Sequence, residues 1–126
     1  MQIPIGFEGQ QRDIRDFMFD LFEAGKLQEG LENDTPGDAR IVMGPLGLRK
    51  GAQLHVIMEV ALYVGQNIAV PLFVAWLYDK WRRGGEKPIN IVIDNRRYQF
   101  SVSLLTKALE EKISREDKDD EHTRPR

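Results

Sequence analysis

Apolar and polar positions alternate along this chain in two rhythms, and the rhythms mark its elements. Ile14, Phe17, Met18, Leu21 and Phe22 fall at i, i+3, i+4, i+7 and i+8, the stripe of an amphipathic helix. Arg12, Asp13, Arg15, Asp16, Asp20 and Glu23 fill the outer face, and Gly25 is a plausible stop. Ahead of it QIPIGF (2–7) alternates, with Ile3, Ile5 and Phe7 on one side, as a short strand does. Pro4 cannot donate to a ladder, which predicts an edge strand or a strand start. The polar run LQEGLENDTPGD reads as a loop, and ARIVMG (39–44) as a strand covered on both faces, because it does not alternate.

The centre of the chain, Ala52 to Trp81, is unusually apolar. His55, Glu59, Tyr63 and Gln66, spaced four, four and three, lie on one helical stripe, which predicts an amphipathic helix with a narrow polar face. Gly65-Gln66-Asn67 interrupts it. Pro71 suits the first turn of a second helix, about Val70 to Arg82, that is apolar almost all round and ends in cations suited to the helix dipole. INIVID and YQFSV then alternate about a turn at Asn95-Arg96-Arg97, a hairpin. A last helix, Leu104 to Ile113, has Leu105, Ala108 and Leu109 inside. Residues 114–126 hold too few apolar side chains to fold and are expected to be a disordered charged tail.

The expected order is β-α-β-αα-β-β-α: an α+β fold, one domain over residues 1–113, with a four-stranded sheet and helices packed on one face. A chain of 126 residues suits a single core of ordinary size. Without cysteine, disulfides and thiolate metal sites are excluded. The opening MQIPIGFEGQ lacks the pattern of a signal peptide, so a cytoplasmic product is expected. With 18 basic and 20 acidic residues the net charge is −2, which gives no general attraction to nucleic acid.

Candidate chemistry is sparse. The loop Gly44 to Gly51 joins a strand to the apolar centre, where phosphate cradles occur, but its spacing is neither GxxxxGK[ST] nor GxGxxG. His55 and Glu59 have the spacing of a helical metal pair, with no third ligand in sight. Ser101, Ser103 and Thr106 lack a neighbouring base. Asp13, Asp16 and Asp20 read as a solvated helix face. No catalytic, cofactor-binding or metal site is expected, and the chain reads as a non-enzyme.

The uncharged stretch from Val60 to Tyr78 raises three readings: core helices, a self-association surface, or helices that enter a bilayer from its inner face. Gly65, Gln66, Asn67 and Pro71 weigh against the last. If one small sheet cannot cover both helices, Leu72, Phe73, Trp76, Leu77 and Trp81 form the expected interaction patch, with Trp76 as anchor and a second copy as the favoured partner.

The run ARIVMG…GPLGLRKG…VGQN…WLYDKWRR…INIVIDNRRYQFSV, about residues 38–103, resembles the effector-associated constant component family of bacterial conflict systems. The likeness rests on Ile41-Val42, Gly44 to Gly51, Leu54 to Val64, Gly65, Trp76-Leu77 with Arg82-Arg83, and Ile91 to Val102. It departs from the family at Gln66-Asn67, where glycine is usual. The resemblance implies a non-enzymatic accessory or adaptor that couples a sensor to an effector protein, and it carries over no catalytic residue.

Overall fold

The computed structural model describes residues 1–45, 49–50 and 55–123, with side chains at 1–45 and 55–116. Ten elements follow in order: β1 (Gln2–Gln10), α1 (Gln11–Phe22), β2 (Glu32–Thr35), β3 (Ala39–Met43), β4 (Arg49–Lys50), β5 (His55–Val64), α2 (Val70–Arg83), β6 (Asn90–Ile93), β7 (Arg96–Tyr98) and α3 (Val102–Thr123). The class is α+β, as expected. The sheet differs: six strands run in the order β2-β3-β5-β1-β6-β7, all antiparallel, and short β4 pairs with β5 alongside β3.

The largest correction is β5. The segment expected to be a helix is a strand, and its parity shows why. Val56, Met58, Val60 and Leu62 are buried, while His55 is exposed and Ile57, Glu59, Ala61 and Tyr63 are half-buried. Four residues make two strand periods and about one helical turn, so polar residues spaced by four fit both patterns. Gln66 completed the helical stripe, yet it lies in the turn beyond the strand. Residues 55–83 are therefore a strand followed by one helix, and the expected pair of apolar helices does not form. β5 pairs on both flanks, with β1 along its length and with β3 over Val60–Val64.

β1 is likewise central, between β5 and β6. Pro4 is tolerated there because pairing with β6 covers only Gly6 to Glu8, so at Pro4 the strand has a neighbour on one side alone. β3 buries Ile41 and Met43 but not Arg40 or Val42, so it is covered on one face and not on both. β2 comes from the polar segment read as a loop. Its backbone pairs with β3, and the Asn33 amide donates to the Leu21 carbonyl at the end of α1 (2.9 Å). The hairpin of β6 and β7 turns at Asp94-Asn95, one residue earlier than the expected start at Asn95. Asp94 and Asn95 both adopt positive φ (52° and 64°), the two-residue turn that matches strand twist.

All three helices lie on one face. α1 contributes Ile14, Phe17, Met18, Leu21 and Phe22, and α2 contributes Val70, Phe73, Val74 and Leu77. α3 adds Leu105, Ala108 and Leu109, which with Ile3, Ile5, Phe7 and the inward residues of β5 and β6 form one core. Phe7, Phe17 and Phe100 meet edge to face, with centroids 5.4 and 5.6 Å apart. α3 does not stop at Ile113: it continues to Thr123, through the first part of the expected tail. Lys112 holds Asp94 of the hairpin turn at 2.9 Å and Glu116 at 2.8 Å, and Arg115 also reaches Asp94 at 2.9 Å. Those pairs fasten the helix where its apolar residues run out.

Candidate functional site

With every helix on one side, the opposite face of the sheet carries no covering element among the described residues. Strand parity decides which side chains it presents. From β1 come Pro4, Gly6 and Glu8, and from β5 come Ile57, Glu59, Ala61 and Tyr63. β3 gives Arg40 and Val42, β6 gives Asn90 and Val92, and β7 gives Arg97. The register sets Ala61 between Pro4 and Val42, and Gly6 between Glu59 and Val92. An antiparallel sheet with one wet face ordinarily alternates apolar-in with polar-out. Here Val42, Ile57, Ala61 and Val92 place half-buried apolar groups on the outer side.

Gly6 explains how closely this centre is packed. A Cβ at that position would lie 3.2 Å from both Ile57 Cγ2 and Val92 Cβ, so the two side chains close over the glycine backbone. A side chain at residue 6 would push them apart.

Beside that patch sits a buried charge. Glu8 is 6 % exposed although it points to the open side. Arg97 donates to it twice, from Nε to Oε1 at 2.7 Å and from Nη2 to Oε2 at 2.9 Å. Such a fork fixes geometry as well as charge. The Arg97 hydrogen bonds hold the Glu8 carboxyl below its ordinary range; burial opposes them, and the Arg97 charge, His55 and Asn90 assist. The pair ties the edge strand β7 across β6 to β1. On the other flank the Arg40 guanidinium lies 4.6 Å from the centre of the Tyr63 ring and 3.5 Å from Glu32. An open cleft of about 300 Å³ lined by Asp34, Asp38, Arg40, Tyr63 and Gly65 borders that flank.

The α2 residues singled out from the sequence are divided by the structure. Phe73 and Leu77 are each 2 % exposed and belong to the protein's own core. Trp81 stacks on Phe100 with centroids 4.7 Å apart, and its indole N–H donates to the Lys87 carbonyl at 2.7 Å. That tryptophan locks the end of α2 to the start of α3. Leu72, 57 % exposed, and half-buried Trp76 remain at the surface one turn apart, with Lys80 Nζ 5.9 Å from the Trp76 ring centre. The covering problem foreseen for two apolar helices is thus resolved in large part by the strand β5 and a six-strand sheet.

The other candidates have local roles. Ser101 caps α3: its hydroxyl accepts the Leu104 N–H at 3.4 Å and its carbonyl the Leu105 N–H at 2.9 Å. Asp16 pairs with Lys87 at 2.9 Å, and that hydrogen bond lowers its pKa. His55 and Glu59 share the outer face of β5. Among the described residues, no group of three or more His, Cys, Asp or Glu side chains could hold a metal ion. Half of the loop Gly44 to Gly51, residues 46–48 and 51, lies outside the described residues. Arg49-Lys50 are described as β4, and the Gly44 N–H donates to the Glu59 carbonyl at 3.2 Å.

Among the described residues no helix is long and apolar enough to cross a membrane. The uncharged stretch from Val60 to Tyr78, for which bilayer entry is the least favoured of three readings, is split between β5 and α2. Entry of residues 52–83 into a bilayer as helices would require unpairing β5 from β1 and β3. Compared with known proteins, the chain matches no family model, no curated protein and no solved structure.

Proposed function

We propose that this chain is a non-enzymatic interaction module, an accessory or adaptor of the kind its resemblance to effector-associated components implies, and that it works by protein–protein association. The observation that carries the reading is the sheet face that no element among the described residues covers. Around half-buried Glu59 its centre presents apolar groups at Val42, Ile57, Ala61 and Val92, more than an ordinary wet face carries. It is framed by the ion-paired Arg40 and Arg97, giving the apolar-centre, polar-rim arrangement of a recognition surface. Leu72 and Trp76 on α2 form a second, smaller patch on the helical side. The partner is an effector protein or a second copy of the chain.

The test uses Ala61→Arg, which sets a charge in the centre of the face without touching the core side. Sedimentation velocity over about 5–100 μM reads self-association, and tagged chain used as bait in its native host reads other partners. Ala61 is half-buried on the outer face, so the substitution should cost about 1 kcal/mol and lower the thermal midpoint by no more than about 5 °C. It should also abolish the association that the unaltered chain shows. Association that survives Ala61→Arg and is lost in Leu72→Ser would move the surface to α2. A chain that associates with nothing, itself included, would overturn the reading.

A further inference from the structure

We draw no further inference here: the strongest candidate, the groove of about 360 Å³ between the start of α2 and the later turns of α3 lined by Ile68, Val70, Pro71 and Ile113, is an unpartnered apolar surface, and nothing in the structure shows what covers it.

Discussion

Leu72 and Phe73 are neighbours on α2, similar in hydrophobicity and opposite in placement, so truncating each in turn tests the fold sharply. Phe73 is 2 % exposed and its ring lies 6.0 Å from that of Trp76. A buried phenylalanine removes about 150 Å² from water, which at about 25 cal/mol/Å² amounts to about 4 kcal/mol. Phe73→Ala keeps the Cβ but leaves a cavity, so the expected loss is about 3–5 kcal/mol. In a domain of this size that lowers the thermal midpoint by about 10–20 °C. Leu72 is 57 % exposed, and Leu72→Ala should stay within about 0.5 kcal/mol of the unaltered chain. The assay is urea unfolding followed by tryptophan fluorescence, with the thermal midpoint by circular dichroism as a second measure. Both should report one transition. Equal effects of the two substitutions, or a neutral Phe73→Ala, would mean that α2 is rotated or undocked and that the helical layer described here is wrong.

Four further outcomes are expected. Gly37 has φ +87°, and a Cβ there would press on the Ala69 carbonyl that begins α2; Gly37→Ala should cost about 2 kcal/mol or more in urea unfolding. Trp81→Phe keeps a ring against Phe100 but forfeits the bond to the Lys87 carbonyl, for a loss of about 1 kcal/mol. Because the folded-state pKa of Glu8 lies below its ordinary 4.5, its contribution is present above that value and is lost as pH falls through the lower folded value. Glu8→Gln should therefore flatten the acid limb of the stability profile below the ordinary carboxylate value, and parallel profiles would contradict the pairing. Asp94→Ala removes the anchor of Lys112 and Arg115, so amide protection should fall in α3 beyond Glu110 while α1 keeps its own; uniform protection would refute the anchoring role.

Where the sequence was readable, the reason was that one pattern excluded the others. The i, i+3, i+4 stripe from Ile14 to Phe22 has no strand reading, and α1 lies where the stripe places it. β5 was ambiguous by arithmetic, since a spacing of four satisfies both periods; the parity of Val56, Met58, Val60 and Leu62 was the signal that distinguishes them. β2 was invisible to hydropathy because Glu32 to Thr35 pairs through its backbone, which any side chain permits. Asp94-Asn95 carried a turn signal in two residues that tolerate positive φ, and a turn placed at Asn95 to Arg97 overlooked it. Helices on one face alone, and hence an open opposite face, were expected from the sequence, but the side chains that line that face were beyond reach for a different reason. Which side of a sheet stays uncovered depends on where three helices dock, and Glu8 finds Arg97 only after β6 and β7 have formed.

The position of β1 between β5 and β6 sets a timetable for synthesis. β1 leaves the ribosome well before either neighbour: Gln10 waits for His55, and Gly6 waits for Val92 on its other side. Until then α1 can form, but Ile3, Ile5 and Phe7 have no sheet to join. Pairings between distant segments close long loops before any contact compensates for the lost freedom, which makes folding slow and late. A growing chain therefore carries an unpaired apolar strand until β5 has been made, about halfway through these residues, a period in which aggregation competes with folding. Growth temperature and expression rate, more than the stability of the finished domain, should govern how much of it is recovered in folded form.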